Sequence, residues 1–357
     1  MICRFVPGFD SIIDQERPIR ILTSLLVNGT LPHALLFTGI EGVGKKTAAV
    51  ALAMACNCTG REAGAGGKAV PSPGAVEPCG ECVACRKITA GAHPDILRVS
   101  PAGAMIKIDQ VRELCQVLTM KPYEARVRVV IIADAHTLNP AAGNALLKML
   151  EEPPARTVLI LTAPQTGDLL PTIVSRCQHI RFKPIARHHL AAILTRAYGV
   201  DPPEASLTAA LAGGSLTRAL TMRGSQWLQR RSWLMAQLAA LPGQSTAALL
   251  ALAEKLSQAR DDLPDALDLI ASWIRDLAVA RHAPESLIHQ DLREVLVEIS
   301  HTMSLEALTS AMRALQDARQ RIQANANPRL TLEALFVKMS MHLDQTRNLL
   351  PGHPRPI

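Results

Sequence analysis

Apolar residues along this chain fall into two regimes. In the first half, short unbroken apolar runs alternate with segments whose apolar positions recur every three or four residues. His33–Gly39 (HALLFTG) predicts a buried strand running into a glycine-rich turn, and Lys46–Cys56 (KTAAVALAMAC) predicts the helix behind it. Asp95–Ser100 (DILRVS) predicts a second strand, Ile108–Leu118 a helix, and Arg126–Asp134 (RVRVVIIAD) a strong strand. Ala141–Glu152 (AAGNALLKMLEE) predicts a helix stopped by Pro153 and Pro154. Thr157–Ala163 (TVLILTA) and Gln178–Phe182 (QHIRF) complete the strands. Such alternation implies an α/β module, a parallel sheet with helices on both faces.

After Pro184 the strand signals fade. The rest is an Ala/Leu-rich helical pattern punctuated by GVDPPE, AGGS, LPGQS and NANP. Breaks near 184 and 224 divide the chain into 1–184, 185–223 and 224–357, with no apparent internal repeat. Gly60–Pro78 is Gly/Ala/Pro-rich and predicts a flexible loop within an insertion spanning about 56–95.

Composition narrows the classes. Hydrophobic residues make up 48% of the 357, ample for packed cores, while aromatics are only 3%. No apolar run reaches the ~18 residues that a membrane helix needs. The opening MICRFVPGFDSIIDQE has charges where a signal peptide needs an apolar stretch, so a cytoplasmic protein with no membrane partner is expected. The formal charge of +7 suits phosphate-rich partners and equally suits a basic solvated surface. With two Tyr, five Phe and three Trp there is little for base stacking, so DNA would be met mainly through its backbone phosphates.

Eight cysteines in a cytoplasmic chain are not expected to form disulfides. Cys3, Cys56, Cys115 and Cys177 are scattered and read as small hydrophobes. Cys79, Cys82 and Cys85 form Cys-x-x-Cys-x-x-Cys, and Cys58 lies across the loop. Four thiolates satisfy tetrahedral zinc with no open position, so the site would be structural. Reduced thiols or an iron–sulfur cluster are the alternatives, and Cys56 could replace Cys58, although it fits the end of an apolar helix better. His93, in AHPDIL, reads as a turn residue rather than a ligand.

The stretch GIEGVGKKT, Gly39 to Thr47, approximates the phosphate-binding pattern G-x-x-x-x-G-K-[ST]. Gly39, Gly42, Gly44 and Lys45 can cradle phosphates. The hydroxyl that should bind Mg²⁺ is replaced by Lys46, a cation, and Thr47 is rotated about 100° away along the helix. The strand that should end in Asp-Glu offers only Asp134. In one register Ala133 takes the metal position and Asp134 the water-polarising one; shifted by one, Asp134 is the metal ligand and Ala135 replaces the Glu. Damage in both halves argues against turnover. A glycine-rich turn that binds no nucleotide is the plainer reading.

LPHALLFTGIEGVGKKT, the cysteine insertion, HPD, NALLKMLEEPP, PTIVSRCQ and NANPRLTLEAL together resemble bacterial clamp-loader subunits of DNA polymerase III over nearly the whole chain. Within that family the resemblance is to the delta prime branch, since gamma/tau usually has intact phosphate-loop and Asp-Glu motifs. The resemblance implies an AAA+ P-loop domain (1–184), a small helical lid (185–223) and an all-α collar (224–357) in a hetero-pentamer with gamma/tau and delta. That ring places the sliding clamp on primed DNA. It also implies that Arg176, in PTIVSRC, is an arginine finger acting in trans on a neighbour's ATP, and that this chain contributes no hydrolysis of its own; Gly39, Gly44 and Lys45 leave binding of ATP or ADP without hydrolysis open. Family lids often read G-S-x-R; GGSLTRAL puts Thr217 at the Arg position and Arg218 one later. Two rivals are an active gamma/tau-like ATPase and a zinc-containing nucleic-acid-binding protein outside any loader.

Overall fold

Five apolar runs become the five strands of one sheet: β1 (Ala34–Thr38), β2 (Ile96–Val99), β3 (Arg128–Ile132), β4 (Thr157–Ala163) and β5 (Gln178–Arg181). The order across the sheet is β2-β3-β4-β1-β5. Every pairing is parallel. The description comes from a computed structural model and covers residues 8–60, 76–223, 225–241, 243–259 and 262–347; most of the loop predicted over Gly60–Pro78 therefore lies outside the described residues.

Strands β1, β3 and β4 are buried along their whole length, which is why they read as unbroken apolar runs. Their side chains alternate between two cores. One face of the sheet gives Leu35, Phe37, Val129, Ile131, Val158 and Ile160 to a core shared with α1 (Glu16–Val27), α2 (Lys45–Asn57) and α3 (Val83–Thr89). The other gives Ala34, Leu36, Val130, Ile132, Leu159 and Leu161 to a core with α4 (Ile108–Thr119), α5 (Pro140–Glu151) and α6 (Pro171–Val174).

β3 is shorter than its sequence pattern at both ends. The amides of Arg126 and Val127 donate to Asn57 Oδ1, at 2.9 and 3.1 Å, instead of joining the sheet. At the other end Asp134 turns left-handed, φ 54° and ψ 48°. A buried carboxylate fixes the preceding loop: Asp95 accepts the amides of Tyr123, Glu124 and Ala125 at 2.8–2.9 Å and pairs with buried Arg128 at 3.3 Å.

From residue 187 on, the described residues are helical: α7 (Arg187–Tyr198), α8 (Pro202–Leu211), α9 (Leu216–Thr221), α10 (Ser225–Ala240), α11 (Thr246–Gln258), α12 (Leu263–Val279), α13 (Arg293–His301), α14 (Leu305–Gln323) and α15 (Pro328–Arg347). The chain divides into two units. One holds the residues up to Leu190 together with Gly213–Arg218, and the other holds Ala191–Ala212 and the residues from Ala219 onward. No helix among the described residues is long and apolar enough to cross a membrane.

The second unit is organised around a buried polar centre. Arg231, 3% exposed, makes a bidentate pair with Asp291 at 2.7 Å per arm and donates to His289 Nδ1 at 2.7 Å. With Nδ1 accepting, the ring proton lies on Nε2, 2.8 Å from Ser272 Oγ. Asp276, fully buried, accepts the amides of Ile288 and His289. Together these contacts pin the irregular segment between α12 and α13 onto α12 and α10.

Candidate functional site

Between the end of β1 and the start of α2 the chain makes a glycine-rich turn that only glycine fits at two points. Gly39 stands at φ 146°, and a β-carbon there would lie 2.6 Å from the carbonyl oxygen of Phe182. Gly42 stands at φ 76°, and its β-carbon would meet Ser215 Oγ and the Thr217 nitrogen at 2.6 Å. The Leu216 amide donates to Gly42 O at 3.2 Å, so the start of α9 rests on the turn. Gly44, left-handed at φ 99°, begins α2, and no side chain caps that end. The first amides of a helix have no partner inside it, so this turn presents a cluster of N–H donors with the positive end of the helix dipole behind them.

Lys45 is 7% exposed. Its ammonium donates to the Gly39 carbonyl and, at 2.7 Å, to the Ile40 carbonyl. Two of its three protons thus anchor it under the turn and one remains for an anion. Burial pushes its pKa below the ordinary lysine range, and Asp134 opposes that shift.

Lys46 turns outward and meets the end of β3. Its Nζ lies 2.7 Å from Asp134 Oδ2, while the Asp134 amide donates to Thr162 Oγ1 at 3.0 Å. Ala135, the next residue, is 1% exposed. Thr47 is half-buried, one position further along α2. The structure thus brings Gly39, Gly42, Gly44, Lys45, Lys46 and Asp134 together beyond the C-terminal ends of β1 and β3. The Lys46–Asp134 pairing, between residues 88 apart, had no signal in the sequence.

Arg176 stands apart, on the turn between α6 and β5. Its Nη2 lies 2.7 Å from Glu151 Oε1 at the end of α5, and its Nη1 donates to Thr172 O at 3.0 Å. Its side chain is 36% exposed. Glu151 belongs to the quoted motif NALLKMLEEPP, but nothing local in the sequence marks it as the partner of Arg176.

The cysteines form the second constellation. The sulfurs of Cys58, Cys79, Cys82 and Cys85 all lie within 4.8 Å of one another. Cys58 ends α2, Cys79 precedes a left-handed Gly80 (φ 72°), and Cys82 caps α3 by accepting the Cys85 amide. Further amides aim at sulfur: Cys79 N–H at Cys58 Sγ, 3.5 Å, and Cys82 N–H at Cys79 Sγ, 3.4 Å. Burial raises the pKa of Cys82, but hydrogen bonds from Cys85 and Thr59 outweigh it and bring the thiol down to about 5. Burial and the Cys82 sulfur push Cys85 upward. Tetrahedral zinc at about 2.3 Å from each sulfur sets them about 3.8 Å apart, so these residues fit the ion after a small contraction. Cys56 packs among the apolar side chains around α2 instead. His93 is 5% exposed and accepts the Asp95 amide at Nδ1, 3.2 Å, the turn role its sequence context suggests.

A parallel sheet ordered β2-β3-β4-β1-β5, with the glycine turn at the end of the strand between β4 and β5 and helices after it, defines a P-loop module of the AAA+ class. The comparisons then place it more closely. The family described as "DNA polymerase III, delta subunit" matches residues 14–186, and "DNA polymerase III, delta subunit, C terminal" matches 225–340. The chain belongs to the DNA polymerase III delta' (delta prime) family of clamp-loader proteins. It is 34% identical to the delta' subunit of Pseudomonas aeruginosa over 86% of this chain and 91% of that one. It is 27% identical to the delta' subunit of Bacillus subtilis over 91% and 96%. The tau subunit of Bacillus subtilis is 27% identical over 96% of this chain, which spans 63% of tau. Among solved structures, a DNA polymerase III gamma subunit-related protein from Thermotoga maritima is similar over 92% of this chain and 100% of its own, at 18% identity and a TM-score of 0.43.

Proposed function

We propose that this chain is a ring member of the DNA polymerase III clamp loader that does not hydrolyse nucleotide itself and lends Arg176 to the ATP of a neighbouring gamma/tau subunit. The ring is a hetero-pentamer with gamma/tau and delta that places the sliding clamp on primed DNA. The observation that carries the reading is the Lys46–Asp134 ion pair at 2.7 Å. Asp134 reaches the side chain that follows Lys45, which favours the register in which Asp134 stands on the metal side and Ala135 at the water-polarising position. An alanine there cannot orient water, and phosphoryl transfer depends on that positioning.

The turn, the open helix end and Lys45 support retention of ATP or ADP without turnover. The partly exposed side chain of Arg176, held by the surface residue Glu151, supports a role toward a neighbour. Cys58, Cys79, Cys82 and Cys85 hold one structural zinc, and their full set of sulfurs leaves no position for substrate. The formal charge of +7 supports contact with DNA through backbone phosphates.

ATP hydrolysis by the isolated chain tests the central claim. It should run no faster than that of a Lys45→Ala control; a clear rate that this substitution removes would establish the alternative, an active gamma/tau-like ATPase, which the similarity to tau over 96% of the chain keeps in view. Failure to assemble with gamma/tau and delta would count against the ring role itself.

A further inference from the structure

The P-loop class implies a magnesium ion held between the hydroxyl that follows the loop lysine and a strand-end carboxylate, and the residues present do not fit it. Magnesium takes hard oxygen ligands in a near-ideal octahedron at about 2.0–2.1 Å. Here the hydroxyl is replaced by Lys46, whose ammonium lies 2.7 Å from Asp134 Oδ2. That ammonium occupies the ion's electrostatic place. It already neutralises the strand-end carboxylate, and a divalent cation beside it would meet the repulsion of the ammonium.

The rest of the site keeps its affinity for anions. No side chain caps the start of α2 at Gly44, so the first amides of that helix are left for an anion. Lys45 is held by the carbonyls of Gly39 and Ile40 with one proton to spare. Lys46 is 55% exposed and can swing its remaining protons toward a β- or γ-phosphate without leaving Asp134. Two ammonium groups and the free amides at the start of α2, set against the carboxylates of Asp134 and the loop's Glu41, leave the helix start and the third proton of Lys45 for a polyphosphate.

We infer that this site takes a nucleoside di- or triphosphate as the metal-free anion, with Lys46 standing in for magnesium. The inference rests on the nucleotide retention proposed above. Because magnesium withdraws two charges from the ligand before it reaches the site, metal in solution competes with Lys46 and Lys45 for the same phosphate oxygens. Nucleotide occupancy of this subunit is thereby uncoupled from the ion that the hydrolysing neighbours require.

Calorimetric titration of the full chain with ADP and with ATP tests this. One series uses buffer freed of divalent ions on a resin and the other uses magnesium in excess; a soluble chelator is avoided because it would also attack the cysteine cluster. Affinity in the metal-free series should equal or exceed that with magnesium. Tightening by magnesium of about threefold or more overturns the inference while leaving nucleotide retention intact. Heat in neither series overturns nucleotide retention and the inference with it, and the two failures are thus distinct. Lys46→Thr should weaken metal-free binding and make the remainder magnesium-dependent, and Asp134→Asn should leave metal-free binding undiminished. If Lys46→Thr binds as the parent does in both series, Lys46 is not the substitute cation.

Discussion

Glu151 and Arg176, 25 residues apart in sequence, meet as an ion pair of 2.7 Å. The pair ties the end of α5 to the turn that precedes β5. Both side chains are well exposed, 51% and 36%, so the pair adds only about 0–1 kcal/mol to folding. Glu151→Gln should therefore leave thermal unfolding of the subunit unchanged, and differential scanning calorimetry checks this. A fall in melting temperature of more than about 4 °C would mean that the pair is part of the structural frame.

Arg176→Ala should also leave folding and pentamer assembly intact. In the reconstituted loader it should lower DNA- and clamp-stimulated ATPase only in part, because other subunits keep their own fingers; the one site it serves should lose on the order of 10³ or more in rate. Arg176→Lys should be harmful as well, since an ammonium lacks the planar fork. Clamp loading should fall more sharply than ATPase. A mutant that assembles and loads clamps at the parental rate makes Arg176 an ordinary surface arginine.

The purified protein should carry about one zinc per chain. Metal analysis, paired with alkylation of thiols before and after chelation, should show Cys58, Cys79, Cys82 and Cys85 protected only while metal is present. Chelation should loosen the region around α3 without touching any chemistry. Folded, metal-free protein with these four thiols reactive throughout would sink the assignment.

Asp95 anchors the loop before β3. Burial opposes its charge, but the amides of Glu124, Tyr123 and Ala125 and the Arg128 guanidinium hold its carboxyl below the usual range. Asp95→Ala removes those acceptors and leaves buried Arg128 without its counter-charge, held only by the Val117 and Met120 carbonyls, so the P-loop unit should lose about 3–5 kcal/mol. Asp95→Asn should cost less, because it keeps one acceptor oxygen. Urea unfolding followed by a probe in the first unit ranks the two.

His289 predicts an acid-sensitive second unit. Burial, followed by the charge of Arg231, pushes its pKa down to about 4 from 6.5. Below about pH 6.5 the unfolded chain takes up a proton that the folded chain refuses. Stability is thus complete above that pH and falls toward pH 4, by at most roughly 3 kcal/mol. Arg231, Arg275, Asp276 and Asp291 face the ring, and Arg231 blocks protonation at Nδ1 directly. Denaturant midpoints of the second unit measured from pH 7.5 to pH 4.5 should drop, and His289→Gln should flatten the curve over that window. An unchanged slope in the mutant would assign the acid sensitivity elsewhere.

Much of this fold is legible in the sequence, and the illegible parts share a cause. Strands β1, β3 and β4 are buried on both faces, so each had to be an unbroken apolar run. Cys79, Cys82 and Cys85 declare themselves by spacing, whereas Cys58 has a rival in Cys56 that only the meeting of the four sulfurs removes, and the glycine turn is legible from Gly39, Gly44 and Lys45. What the sequence conceals are pairings across long separations. Lys46 reads locally as a broken motif, and only the sheet brings Asp134 to it. Asn57 lies just past the predicted helix and carries no signal, yet its side chain ties down Arg126 and Val127. His289, Arg231 and Asp291 carry no periodicity at all. Apolar pattern encodes which face is buried; it does not encode which polar groups meet once the faces are closed.

The bond between Lys46 and Asp134 also has a consequence for descent. Suppose selection favoured a working metal seat in this chain. Restoring threonine at 46 alone leaves Asp134 without its cation and Ala135 still inert. Installing a carboxylate at 135 alone forces a charge into a position 1% exposed, beside a lysine that already has a partner. Each single step is neutral or harmful, and gain arrives only when several are combined. On the register proposed above, a metal seat at this position therefore needs changes at 46 and 135 together, because the Lys46–Asp134 pair fills it.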